Sequence, residues 1–137
     1  MRARMMMVGL VVVALVAGSI GMLKAQAPAG QTASQFYTAY RAAFDKATKI
    51  EDLTTYVSAD MKKQIEATPA AERPQMFGMM KMMNTLTDVK ITKEVKTPGG
   101  ATLTATGIDS DKKKMTGTID IVREGNAWKL GKESWSN

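Results

Sequence analysis

The most unusual chemical feature of the sequence is a run of methionines, which occupy five of the eight positions from Met76 to Met83. Thioether sulfur is a soft ligand that selects Cu(I). The same spacing describes a core stripe, because methionine fills irregular protein interiors. We expect these methionines to pack in the core. The alternative is that they bind Cu(I), or that an exposed Met82 buffers oxidants. Four of the methionines share one face if the segment is helical: Met76, Met79, Met80 and Met83.

Composition excludes most other site chemistry. The 137 residues contain no cysteine and no histidine. Disulfides, thiolate nucleophiles, iron–sulfur clusters, Ser-His-Asp triads and the common imidazole metal sites are therefore excluded. The length suits one globular domain, and a multidomain enzyme is excluded. We expect no cofactor.

The positive charge does not indicate a nucleic-acid partner. Of the 19 basic residues, three lie before residue 28, which leaves 16 basic against 13 acidic residues. This excess is too small for a phosphate-binding face. The run Lys112-Lys113-Lys114 contains no aromatic residue that could stack on a base, so we expect a solvated turn there.

Residues 1–27 have the pattern of a secretory signal peptide. Basic residues precede an uncharged apolar body, and small residues follow it, so cleavage after Ala25 or after Ala27 is expected. The alternative is an uncleaved segment, which would be the protein's only attachment to a membrane. In either case the remainder is exported and becomes periplasmic or secreted. A linker over 28–31 then leads into a single domain over 32–137.

The first half of this domain predicts helices. Thr32 and Gln35 have the spacing of a capping box, and apolar and aromatic residues then recur at intervals of three and four. A short second helix is expected over 51–57, and Ser58 is expected to cap a third. The fourth begins near Glu72 or Arg73, because the following proline is tolerated only in the first turn of a helix.

The second half predicts an antiparallel sheet of four strands. A three-residue loop at 98–100 would pair Val95 with Leu103, and Lys93 with Ala105. A third strand over about 114–124 would turn at Gly125-Asn126, which pairs Arg123 with Trp128 and Ile121 with Leu130. The alternation assigns to the inner face Leu103, Ala105, Ile119, Ile121, Trp128 and Leu130. It assigns to the outer face Thr102, Thr104, Thr106, Thr116 and Thr118.

Helices followed by an antiparallel sheet indicate the α+β class, with the N-terminal helices packed on one face of a curved four-stranded sheet. This order resembles the nuclear transport factor 2-like superfamily, which has a cystatin-like fold. The resemblance rests on the aromatic first helix, on Glu51 to Asp60, and on the closing hairpin Val122 to Leu130. The hairpin is similar to the ending of secreted SnoaL-like or lumazine-binding-like domains. Members range from isomerases to binding modules, so the resemblance implies a fold and no particular activity.

Members that resemble ketosteroid isomerases need a carboxylate base in the pocket and a hydroxyl donor opposite it. The candidate donors in this chain are Tyr37, Tyr40 and Tyr56. Strand alternation leaves Asp109, at a strand end, as the one candidate base on the inner side, because Asp120 has the opposite parity. We therefore expect an interior without a proton acceptor and no catalytic residues, with a small isomerase or dehydratase as the alternative.

One hypothesis is a small-molecule pocket between the first helix and the sheet. The residues that would line it could equally well form the core. Its candidate lining is Tyr40, Phe44, Leu103, Ile119 and Trp128. The threonine-rich outer face could pair two copies of the chain, and Trp135, off the inner parity, would suit that contact or a frayed end. We expect an exported, non-enzymatic binding or accessory domain whose partner is a small molecule or a protein.

Overall fold

The structure is a computed structural model that describes residues 30–137. The predictions for residues 1–29, the signal peptide among them, lie outside the described residues. Within 30–137, no helix has both the length and the apolar character needed to cross a membrane. The helical elements are α1 (Ala33–Lys46), a short 3₁₀ helix (Ile50–Leu53), α2 (Ala59–Ala67) and α3 (Arg73–Met83). The strands are β1 (Thr87–Thr97), β2 (Gly100–Ile108), β3 (Lys114–Glu124) and β4 (Ala127–Ser136).

The predicted α+β class is confirmed, with helices ahead of a curved antiparallel sheet in the order β1-β2-β3-β4. The predicted helix starts are confirmed as well. Thr32 and Gln35 form the capping box, and the Ser58 hydroxyl accepts from the backbone of Met61. Pro74 lies in the first turn of α3, where its missing N–H is not needed. The expected helix over 51–57 is only the 3₁₀ turn.

The predicted register of the first hairpin is wrong. The loop has two residues, 98 and 99, so Val95 pairs with Thr102 and Lys93 with Thr104. A register shift between Ile91 and Lys93 reverses the alternation of β1. Val95 consequently faces away from the core and is 45% exposed.

The second hairpin has the predicted pairs, Arg123 with Trp128 and Ile121 with Leu130. The next pair joins Asp120 to Lys132, so Gly131 is an extra residue in β4. This bulge reverses the alternation for the rest of the strand. Trp135 therefore pairs with buried Gly117 and lies on the inner face, and its predicted outward position is wrong.

The core lies between α1 and the inner face of the sheet. α1 contributes its aromatic side to this core, and the alternate residues of β2 and β3 are buried as predicted. The predicted outer threonines are partly or fully exposed. The largest fully buried side chains are Tyr37, Ile50, Leu53, Leu103, Ile119, Ile121 and Leu130.

Candidate functional site: a methionine groove on the third helix

Helix α3 contacts α1 through the aromatic ring of Phe77 and the ammonium group of Lys81. Phe77 is the one fully buried residue of α3, and its ring meets that of Phe44 edge-on at 6.2 Å between centroids. Lys81 donates to the backbone carbonyls of Phe44 and Asp45, at the end of α1. Its ammonium also lies 4.9 Å from the centre of the Phe44 ring. Carbonyls in the last turn of a helix lack helical partners, so Lys81 supplies a donor to Asp45 and adds to the bond that Phe44 accepts from the backbone N–H of Ala47 at 3.3 Å.

The start of α3 is fastened to the end of α2. The guanidinium of Arg73 donates to the carbonyl oxygens of Thr68 at 3.0 Å and of Glu66 at 3.2 Å. It also lies 3.5 Å from the carboxylate of Glu51. Both ends of α3 are thus held, and Phe77 decides which side turns inward. The side that carries the methionines is left toward solvent.

An open groove of about 520 Å³ runs along this side of α3. The four methionines that the helical spacing placed on one face all line it. The prediction that they share a face is therefore confirmed. The complete lining is Thr68, Glu72, Gln75, Met76, Met79, Met80 and Met83.

The expectation that this stripe belongs to the core is wrong for its outer members. Met79 is 57% exposed and Met83 is 77% exposed, while Met76 and Met80 are only partly buried. Neighbouring Met82, which does not line the groove, is 80% exposed. Apolar side chains gathered at a surface are unusual in a small domain and often mark a binding site.

One of the four sulfurs already has a polar partner. The hydroxyl of Thr68 lies 3.6 Å from the sulfur of Met76 and donates to it. For Met79, Met80 and Met83, the described residues provide no hydrogen bond to sulfur. Among these residues there is also no group of three or more Asp or Glu side chains that could hold a metal ion. The thioethers are therefore the soft donors of this groove.

A second group of functional side chains lies in the interior, where no carboxylate was predicted. The Gly131 bulge turns Glu133 inward, opposite buried Ile119. Its carboxylate lies 3.5 Å from the guanidinium of Arg41 and accepts from the indole of Trp135 at 2.9 Å. The expectation of an interior without a carboxylate is wrong. A glycine within a strand signals a bulge, and Gly131 was the clue in the sequence.

Two polar atoms of this group have no hydrogen-bond partner among the described residues, the hydroxyl of Tyr37 and Oε2 of Glu133. Burial raises the pKa of Tyr37 and of Tyr40 well above the ordinary 10.0, and the Glu133 carboxylate raises both further, while Arg41 acts in the opposite direction. Both phenols therefore stay protonated at neutral pH. Tyr56 is only partly buried and lies apart from the carboxylate, against Phe36 and Tyr40.

The carboxylate proposed from the sequence, Asp109, has a structural role in the β2–β3 turn. Its Oδ1 accepts from the backbone N–H groups of Asp111 at 2.9 Å and of Lys113 at 2.8 Å. Asp109 thus stabilises the turn. The prediction that it is a candidate for an inward-facing base is wrong. Asp120 faces outward as predicted and accepts from the Thr102 hydroxyl at 3.1 Å.

The five residues suggested for a pocket do not come together around a common one, because four of them are packed in the core and Trp128 lines a separate groove near the start of α1. Tyr40, Phe44, Leu103 and Ile119 are at most 4% exposed and belong to one packed cluster. Trp128 lies at the start of α1, where its indole donates to the carbonyl of Gln31 at 2.9 Å. The structure therefore agrees with the other role predicted for the first four residues, which is to form the core.

Comparison with family models, with curated proteins and with solved structures finds no match for this chain. The resemblance to the nuclear transport factor 2-like superfamily therefore stays a prediction. The methionine groove and the interior carboxylate are properties of this chain's own residues.

Proposed function

We propose that the chain is a non-enzymatic binding domain and that the methionine groove is its binding surface. The observation that carries this proposal is the exposure of Met79 and Met83, which are 57% and 77% accessible in one groove with Met76 and Met80. Methionine is flexible and polarisable, so a surface made of it adapts to a soft or apolar ligand. Holding both ends of α3 keeps this surface turned outward.

The interior group gives little support to the isomerase alternative. Glu133 is 11% exposed and is engaged by Arg41. Glu133 does not line the methionine groove, nor the grooves lined by Ala33 and Trp128, by Ser58 and Asp120, or by Asp88 and Thr106. A general base must come within hydrogen-bond reach of the proton that it removes. The structure offers no such approach along these grooves.

The groove is tested with bis-ANS, a dye that fluoresces on apolar surfaces. We expect the native protein to bind the dye and the double variant Met79→Lys/Met83→Lys to lose the fluorescence increase. Met82→Lys is the matched control, because Met82 is 80% exposed on the same helix but does not line the groove. Lysine is a good helix former, so α3 should remain helical in each variant. Equal dye binding by all three proteins would refute the proposal.

We further propose that the domain acts outside the cytoplasm after removal of the first 25 or 27 residues. The support is the basic start, the uncharged apolar body and the small residues at 25–27 of the sequence. The mass of the protein recovered from the exported fraction tests this. Recovery of the intact chain in the membrane fraction would favour the uncleaved alternative.

A further inference from the structure

The chain has a single class of soft donor. It contains no cysteine and no histidine, but it contains 12 methionines. Four of these line the groove on α3. We propose that the ligand of this groove is Cu(I), an inference that rests on the groove being the binding surface.

The geometry of α3 selects three of the four sulfurs as ligands. Met83 lies three residues after Met80 and four after Met79, so its side chain is a neighbour of both on the helix surface. Side chains at three- and four-residue spacing have Cβ atoms about 5–6 Å apart, and the rotatable bonds of methionine let the sulfurs converge. Met76 is the fourth member, but its sulfur already accepts the hydroxyl of Thr68.

The chemistry of the donors selects the metal. Thioethers are neutral and soft, and they suit Cu(I) rather than Mg²⁺ or Ca²⁺, which take oxygen ligands, or Zn²⁺, which takes thiolates, imidazoles and carboxylates. Glu72 at one end of the groove adds a negative charge that attracts a cation. A thioether has no proton to lose, so binding releases none and affinity should not change with pH, unlike at cysteine or histidine sites.

The test is an anaerobic titration of the purified protein with Cu(I) in excess reductant, in competition with a chromophoric Cu(I) chelator. Each of Met79→Leu, Met80→Leu and Met83→Leu should weaken binding by at least about ten-fold, which is ~1.4 kcal/mol. Met76→Leu and Met82→Leu should each change it by less than about two-fold, or ~0.4 kcal/mol. Methionine and leucine have similar volumes, so the variants remove sulfur while keeping the groove apolar.

A second readout is independent of the chelator. In protein labelled with ¹³C at the methionine methyls, Cu(I) should shift the resonances of Met79, Met80 and Met83, and leave those of Met82 and Met115 in place. Apart from Met82 in its own control variant, the methionines outside the groove are common to all variants, so differences among the groove variants report on the groove alone. Circular dichroism confirms that each variant retains its helices.

The outcomes separate the two proposals. If the leucine variants bind Cu(I) as tightly as the native protein, the metal assignment is wrong. If the double lysine variant loses bis-ANS binding while the native protein does not bind Cu(I), the groove is still a binding surface and its ligand is apolar. If the double lysine variant keeps its dye binding and the leucine variants keep their Cu(I) binding, both proposals fail.

Discussion

Arg41 of α1 and Glu133 of β4 form an ion pair inside the helix–sheet interface, with 3.5 Å between Nη1 and Oε1. Their side chains are 9% and 11% exposed. Arg41 also donates to the carbonyl of Asn84 at 3.1 Å and lies 5.2 Å from the centre of the Phe44 ring. The pair thereby connects the last strand to the first helix.

Removing one partner of this pair should be costly. We expect Glu133→Leu to lower the free energy of unfolding by about 3 kcal/mol, because Arg41 is left buried without its countercharge. Arg41→Met combined with Glu133→Leu should recover most of this loss, because no unpaired charge remains. Urea denaturation measures both effects.

A surface ion pair supplies the control for this prediction. Arg73 and Glu51 are also 3.5 Å apart, but their side chains are 22% and 46% exposed. Glu51→Leu should cost less than about 1 kcal/mol, because solvent screens the pair. An equal loss at the two sites would contradict the importance of burial.

The buried tyrosines should make the fold sensitive to alkali. The pKa of Tyr37 and of Tyr40 is raised, mainly by burial, above the 10.0 of an unfolded chain. Their contribution is complete below pH 10 and is lost as pH rises toward the folded-state values, because the unfolded chain ionises first. The free energy of unfolding should therefore fall ever more steeply as the pH rises past 10 and approach a slope of about 2.7 kcal/mol per pH unit, from two groups at ~1.36 each. Urea titrations at successive pH values measure this slope.

Tyr37→Phe separates the two contributions. It should reduce the alkaline slope to about 1.4 kcal/mol per pH unit, because one buried phenol remains. Near pH 7 it should cost little, since the hydroxyl that it removes has no hydrogen-bond partner among the described residues. A slope unaltered by the substitution would show that Tyr37 does not titrate on unfolding.

Metal binding should protect particular methionines from oxidation. Ag(I) is a soft ion that can replace Cu(I) in an experiment with peroxide. We expect it to slow sulfoxide formation at Met79, Met80 and Met83, because a metal ion occupies one lone pair of the coordinated sulfur and makes the other less nucleophilic. Peptide mass spectrometry measures each site. Met82 is the internal control, and protection of Met82 to the same extent would argue against a defined site.

The contact between Trp135 and Gly117 should leave no room for a Cβ at position 117. A Cβ built on Gly117 would lie 2.7 Å from the Trp135 ring. Gly117→Ala should therefore cost about 1–3 kcal/mol, because the indole must move. The free energy of unfolding and the tryptophan fluorescence report it.

Gly107→Ala is the matched control for this contact. A Cβ there would meet the same ring at 3.5 Å, an ordinary distance. The change should be neutral or slightly stabilising, by up to about 1 kcal/mol, because alanine restricts the unfolded chain. If both alanine variants proved equally unstable, close approach to Trp135 would not be the cause.

Much of this fold was readable from short stretches of sequence. The capping box of Thr32 and Gln35, the Ser58 cap and the Gly125-Asn126 turn all appear where they were predicted. Each depends on atoms only a few residues apart, so local chemistry suffices to specify it. The α+β order follows from the change of hydrophobic period near residue 86.

The bulges were not readable in this way, and two of the three register shifts in the sheet decide what faces the core. A strand repeats every two residues, so one extra residue at Gly131 moves Glu133 and Trp135 from the outer face to the inner one. The shift in β1 moves Val95 outward for the same reason. Where a bulge forms depends on how a strand fits against its partner and the helices, which is a contact between distant parts of the chain.

The methionines of α3 likewise have one property that the local sequence determines and one that long-range contacts determine. Spacing along the chain establishes that four methionines share one side of α3, because helical geometry is local. Whether that side meets the core or water depends on Phe77 and Lys81 reaching Phe44 in α1, more than 30 positions earlier in the chain. The stripe is open because the energy of those long-range contacts turns the other side of the helix inward.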